Sequence, residues 1–361
     1  MSAAAFLRTI LAHPDDDGPR LVFANWLDEH GQPERAEFIR VQIDLARCPF
    51  TAPDYDRLAE RERQLLDEWR AVWWSELPQP TGWSWGAFHR GFVSSVTLWP
   101  DKMPLAVANL PLLRASAPLR RLEVNLSTRG AGANLLEHCP LDWVRELAVK
   151  HPFPLERLWS WLTSPAARQL ERFDLEMDCF NDTDLEQFLA APRLDCLHTL
   201  DLARAIIDAD TAQQLAVAAS LQHLRELRLG GALEDANLHA LATSPYLNSL
   251  ETLRIRWGHF TSAGLTALAN SPLLGRLTTL DLSCSTLEPA GVSALARSPQ
   301  MRRVVRLDLN ECELPAATLT ELAESPHLAQ VRRLNVAVDD LDHSADAVAE
   351  VVPQKRPQAN P

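Results

Sequence analysis

The feature that most constrains this chain is a six-residue pattern, L-x-x-L-x-L, which returns about every 27 residues from residue 91 onward. Its middle apolar position falls at Leu122, Leu147, Phe173, Leu200, Leu227, Leu253, Leu280, Leu307 and Leu334, after a degenerate first copy centred on Val96. Successive middle positions are 25 to 27 residues apart. Self-similarity at a fixed period of that size marks a stack of supersecondary units, none of which can bury its apolar side alone.

Each unit reads in two halves. The L-x-L core alternates apolar and polar residues, the signature of a half-buried strand. A further apolar residue follows five places after the third core position, at Phe180, Ile207, Phe260, Leu287, Leu314 and Leu341. In the unit one residue short it comes after four places, at Leu233, so the deletion maps to the loop between strand and helix. The second half is helical, clearest in 262–272, 289–299 and 315–326, where Leu265 and Leu268, or Leu319 and Leu322, keep helical spacing. The Ser-Pro pair that follows ends the helix, because proline disfavours the helical state of its predecessor.

A strand and a helix every 26–27 residues resembles the leucine-rich repeat in its ribonuclease-inhibitor-like form, over residues 91–343. The resemblance implies an α/β solenoid of about ten units, with parallel strands on a concave face and helices on the convex face. The family's Asn or Cys, three residues after the third core position, survives only as Cys312; other units carry Asp178, Ala205, Gly258, Ser285 or Asp339. The turns must therefore satisfy their backbone groups by other means.

Residues 1–90 do not repeat, and a small all-α domain is expected at the N-terminus. Apolar spacing predicts helices over 6–12, 20–31, 34–46 and 54–76, with 13–20 as a turn broken by Pro14 and Gly18. The run from Phe6 to Gln42, with its Asp15-Asp16-Asp17, Arg20-Leu21-Val22-Phe23-Ala24-Asn25-Trp26-Leu27 and Arg35-Ala36-Glu37-Phe38 segments, resembles the short bacterial repeat-companion domain. That module stands N-terminal to repeats, often leucine-rich ones, so the chain resembles a bacterial leucine-rich repeat protein carrying it. The expected organisation is a helical companion domain (1–50), a helix and Trp-rich N-terminal cap (51–90), repeats (91–343) and a disordered tail (344–361). Trp69, Trp73, Trp74, Trp83, Trp85 and Trp99 cluster where a solenoid needs its first apolar unit covered. Leucine follows the same division, with 10 in residues 1–100 and 50 in residues 101–350.

Charge then narrows the function. There are 35 Lys+Arg against 48 Asp+Glu, a net charge of −13, and both parts of the chain are acidic. Such a surface repels phosphate backbones, so no nucleic-acid partner is expected. No run reaches the ~18 apolar residues of a membrane span, and the N-terminus has no basic start before its apolar stretch, so a cytoplasmic protein is expected. The six cysteines are scattered without metal spacing and read as small buried side chains in a reducing compartment. Phosphate-loop, dinucleotide, nucleophile-elbow and zinc-protease motifs are absent from the sequence, so neither a cofactor nor a catalytic residue is expected.

What remains is the strand face opposite the core, whose residues alternate with the leucines. It reads as an acidic band (Asp174, Glu176, Asp201), a basic band (Arg228, Arg254, Arg256 beside Trp257) and a second acidic band (Asp281, Asp308). The expectation is a non-enzymatic, monomeric scaffold that binds a protein partner through this charged concave wall. The rival places a small enzymatic or metal-dependent activity in the N-terminal domain, at Asp15, Asp16, Asp17, Arg20, Asp28 and Glu29.

Overall fold

A computed structural model of the protein describes residues 2–49, 52–99, 103–125, 141–150, 155–176, 182–189, 194–205 and 209–336. The chain forms two compact units, Met1–Leu158 and Trp159–Pro361.

The first unit opens with four helices, α1 (Ala3–Ala12), α2 (Asp17–Glu29), α3 (Pro33–Arg47) and α4 (Tyr55–Ser75). Helix α2 begins three residues earlier than its apolar pattern suggests. Asp16 caps it by accepting from the Gly18 N–H at 2.8 Å, so Gly18 and Pro19 sit in the first turn rather than breaking the helix. Proline is tolerated there because its missing N–H would have no partner within the helix. Gly31, at φ +75°, ends the segment, and Pro33 starts α3. Helix α3 lies between two apolar clusters. Ile39 and Ile43 face Ile10, Ala24 and Leu27, while Phe38 and Val41 face Leu65 and Trp73.

The Trp-rich stretch is helical only through α4, which holds Trp69, Trp73 and Trp74. It then forms β1 (Trp83–Trp85) and a hairpin of β2 (Phe88–His89) and β3 (Phe92–Val93), ahead of β4 (Ser95–Leu98). Strand β1 pairs antiparallel with β4, the first repeat strand, with Trp85 opposite Val96. The helical N-terminal region is thus followed by short strands before the first repeat. The hairpin turns on Arg90 (φ +50°) and Gly91 (φ +85°), the double left-handed geometry a two-residue turn requires. A Cβ on Gly91 would stand 2.8 Å from the Ile39 Cα, so only glycine lets the turn rest on α3. The buried Gln42 fixes that contact, accepting from the Gly91 N–H at 2.7 Å and donating to Glu62 at 2.7 Å. Parallel strands β5 (Arg121–Asn125) and β6 (Glu146–Lys150) continue from β4, with Val96, Leu122 and Leu147 in register.

In the second unit, β7 (Arg172–Glu176), β8 (Thr199–Leu202), β9 (Glu226–Gly230), β10 (Thr252–Arg256), β12 (Thr279–Asp281), β14 (Arg306–Leu309) and β15 (Arg333–Val336) form a parallel sheet in chain order. Phe173, Leu200, Leu227, Leu253, Leu280, Leu307 and Leu334 share one register. From Phe173 to Leu307 each is 0% exposed. Two two-residue strands, β11 (His259–Phe260) and β13 (Thr286–Leu287), pair beside the sheet and bury Phe260 and Leu287, the apolar residues expected after each core. Leu233 is buried as well. Phe180, Ile207, Leu341 and the tail 344–361 lie outside the described residues.

The Ser-Pro pairs do more than end helices. Ser244, Ser298 and Ser325 donate to the carbonyls of Ala216, Ala269 and Ala296 in the preceding repeat. Each hydroxyl also accepts a backbone N–H of its own following turn. One side chain thereby links neighbouring units and organises the return to the next strand. Cys312 and Ser285 take the family's Asn position and donate to Leu282 O (3.2 Å) and Ile255 O (3.5 Å) of the preceding unit. Cys312 is buried as expected; Cys196 is exposed, and Cys48 and Cys284 are half-buried, which departs from the expectation. Cys139 and Cys179 lie outside the described residues.

Because the core is one stack of identical registers, truncating a single rung should be costly. Leu253→Ala is expected to lower unfolding free energy by ~2–5 kcal/mol, and Val217→Ala at an exposed position by less than ~0.5 kcal/mol. Urea unfolding followed by circular dichroism measures both.

Candidate functional site

The open face of the second unit carries three charged columns, because every second strand residue points away from the core. The column just before each middle leucine contributes Arg172, Glu226 and Arg306, all three beyond the predicted set. Their arrangement changes the meaning of the bands. Glu226 receives Arg228 Nε at 2.7 Å, with Arg254 Nε at 3.7 Å and Arg172 Nη1 at 3.9 Å. Arg172 binds Asp174 at 2.8 Å and reaches Asp201 at 3.6 Å; Arg228 meets Asp201 at 3.1 Å. Arg254 lies 3.8 Å from Asp281, and Arg306 3.6 Å from Asp308. Glu176 pairs with Arg204 at 2.5 Å. The predicted bands are therefore neighbours that neutralise one another.

Several of the acids also hold the backbone. Asp201, Asp281 and Asp308 each accept the N–H two residues on, from Ala203 (3.1 Å), Ser283 (3.0 Å) and Asn310 (3.2 Å). Asp281 also accepts the Ser283 hydroxyl, and Asp308 the Asn335 amide at 2.7 Å. These carboxylates supply part of the turn satisfaction that the sparse Asn column leaves open. Asp281 and Asp308 are buried, at 6% and 8% exposure. Burial pulls the Arg254 pKa down, as does neighbouring Arg228, against the pull of Glu226 and Asp281.

Arg256 and Trp257 stand apart. Trp257 is 49% exposed and takes a left-handed backbone (φ +62°) directly after β10. The Arg256 guanidinium lies 5.3 Å from the Trp257 ring centroid. Gly230 makes room for the indole, since a Cβ there would approach Trp257 Cζ3 at 3.2 Å and Ala203 O at 2.1 Å. Arg256 also donates to Cys284 Sγ at 3.2 Å, which raises the guanidinium pKa.

The N-terminal acidic run has a different occupation. Asp15 bridges Arg120 (2.9 Å) and Arg145 (3.2 Å), which occupy equivalent positions in consecutive repeats of the first unit. Asp17 holds Arg47 at 2.7 Å, with Arg90 at 3.5 Å, and Asp16 caps α2. Asp28 pairs with Arg40 at 2.6 Å, and Asn25 accepts from the same guanidinium at 2.8 Å. Arg20 is buried, donates to Asp16 O, and has its pKa pushed down to about 10, chiefly by burial. Glu29 is exposed. Among the described residues no three His, Cys, Asp or Glu side chains converge to hold a metal. The run fastens the helices to the repeats.

The aromatic cluster is likewise filled from within. Arg35 places its guanidinium 4.6 Å from the Trp73 ring and 5.3 to 5.7 Å from those of Phe88, Phe38 and Phe92. Burial lowers its pKa to about 10, so it stays cationic at neutral pH.

The leucine-rich repeat family model matches residues 246–269 and 277–296, which carry β10, β12 and the helices behind them. Among solved structures the chain is similar to an internalin (inlF) from Listeria monocytogenes, with 18% identity and a TM-score of 0.36 over 63% of this chain and 56% of that one. It is also similar to the Rad7 and Elc1 complex of yeast, with 15% identity and a TM-score of 0.48 over 93% of this chain and 80% of that one. This chain therefore spans little more than half the length of the internalin. No curated protein matches it.

One titratable group in the first unit gives a pH test. Burial, then Arg120, Arg90 and Arg20, push the His89 pKa from 6.5 down to about 4. Between those values the unfolded chain takes up a proton that the folded chain refuses. Stability should thus fall as pH drops through that window, by up to ~1.4 kcal/mol per pH unit for this group. Comparing His89→Gln with the parent by chemical unfolding from pH 6.5 to 4.5 should show a flatter slope in the variant.

Proposed function

We propose that the protein is a non-enzymatic interaction module, cytoplasmic and monomeric, which holds a protein partner against the open face of its repeats. The partner-facing set is Asp174, Glu176, Asp201, Arg228, Arg254, Arg256, Trp257, Asp281 and Asp308. Within it the tasks divide. The mutually paired acids and arginines form a stiff floor whose charge pattern orients an incoming chain, as complementary potentials do in other complexes. Trp257 with Arg256 is the anchor, since large aromatic and Arg side chains dominate binding energy where they can be desolvated. The observation that carries this reading is the exposure of Trp257, at 49%, beside a face whose other large groups are committed to one another.

The ladder sets how the reading can be tested. Reversing Arg228 or Arg254 to Glu would crowd carboxylates around Glu226 and damage the fold. Trp257→Ala and Arg256→Ala leave that network in place. Affinity purification with the full chain, read by quantitative mass spectrometry, should enrich a partner that falls at least tenfold with either variant, while the thermal midpoint is unchanged. Equal recovery of every enriched protein by wild type and both variants would remove the open face from the account.

A further inference from the structure

A second feature of the Trp159–Pro361 unit lies away from the open face, at the edge where the chain enters its strands. A cavity of about 300 Å³ there is lined by His198, His223, Arg225, Glu251, Arg276 and Arg303, with Asn248, Ser249 and Leu250 completing it. The repeat creates this cluster. His198, Arg225 and Glu251 occupy one repeat position in three successive units, two residues before the middle leucine. His223, Arg276 and Arg303 occupy another, four residues before it.

The backbone beneath is fixed. Arg225 N donates to His198 O at 2.8 Å and Glu251 N to Arg225 O at 2.9 Å, while Arg276 and Arg303 end short turns pinned by buried Leu274 and Met301. The side chains are not committed. Among the described residues none of Arg225, Arg276 and Arg303 forms an ion pair or a side-chain hydrogen bond, which sets them apart from the arginines of the open face and of the Asp15 junction. In a chain of net charge −13, three uncommitted guanidiniums around one cavity are a local reversal of charge. Glu251 is the one carboxylate in the lining and is outnumbered.

We propose that this cavity binds a tetrahedral oxyanion presented as a phosphorylated side chain of a partner protein. A guanidinium is a planar fork of donors that suits phosphate oxygens, and a phosphoryl group offers three strong acceptors that several forks can share. A carboxylate has two oxygens in one plane and would leave the third arginine without a role. The volume sits at the lower end of ligand pockets, which suits one modified side chain. Delivery on a polypeptide rests on the interaction-module reading above. The residues concerned are separate from Arg256 and Trp257, so the two readings can fail independently.

The test uses the full chain and a fluorescent peptide library with a fixed central phosphoserine between degenerate positions, alongside its unphosphorylated twin. Fluorescence polarisation should show at least tenfold tighter binding of the phosphorylated library, and a tenfold or greater loss in Arg225→Gln/Arg276→Gln/Arg303→Gln. Each single variant should give part of that loss, which keeps the test valid if the triple variant folds poorly. Arg302→Gln, an exposed neighbour outside the lining, should bind as wild type does. Equal binding of the two libraries, or unchanged binding in the single and triple variants, overturns the site. Inorganic phosphate binding as tightly as the phosphorylated library overturns the peptide as carrier and leaves a free-anion site. If the libraries fail while Trp257→Ala still loses its partner, only the cavity reading falls.

Discussion

The stack of middle core residues is the constraint on which everything else depends. A parallel strand one repeat long can bury its leucine only against the same position of its neighbours, so register is fixed at every rung from Phe173 to Leu334. A locked register has a consequence for polar residues. Each open-face position is stacked on its own counterpart in the next unit, roughly 4.8 Å away. Like charges repeated down a column would repel, and isolated ones would be poorly solvated among their neighbours. Arg172, Arg228 and Arg254 around Glu226, with Asp174, Asp201 and Asp281 alongside, satisfy that demand. The charge bands of this unit follow from the stacking of leucines beneath them.

The same constraint explains where uncommitted chemistry can survive. Inside the ladder the charged groups pair with one another, and Asp201, Asp281 and Asp308 hold the turns after their strands. Groups are released at the margins of the strands, where the backbone leaves the sheet. Trp257 sits at one such margin, lifted by its left-handed backbone and given room by Gly230. Arg225, Arg276 and Arg303 sit at the opposite margin, on residues preceding their strands. A stiff core with free groups along both strand ends is a suitable build for recognition, because little ordering cost remains when a partner arrives.

Much of this was legible in the sequence and some of it could not be. The six-residue pattern placed every repeat strand of the second unit, and the helix boundaries in 262–272 and 289–299 followed from apolar spacing and the Ser-Pro stop. Local chemistry carries that information. The antiparallel strand Trp83–Trp85 was missed because aromatic clustering announces burial without choosing between helix and strand. The charge bands were legible, but their pairing runs through Arg172, Glu226 and Arg306, in a column that the L-x-L core does not mark. Nothing local could reveal that Asp15 reaches Arg120 and Arg145, residues 105 and 130 positions away. Of the three consecutive aspartates, Asp15 and Asp17 are held by arginines and Asp16 caps a helix.

The open-face charges act first on one another. A double-mutant cycle on Glu226 and Arg228, read by urea unfolding of Glu226→Ala, Arg228→Ala and the pair, tests this most directly. Their atoms approach at 2.7 Å with side chains only 21% and 27% exposed. Contacting residues of one network couple by ~0.5–3 kcal/mol, and a coupling within that range is the expected result. Additive losses, with no coupling beyond experimental error, would contradict it.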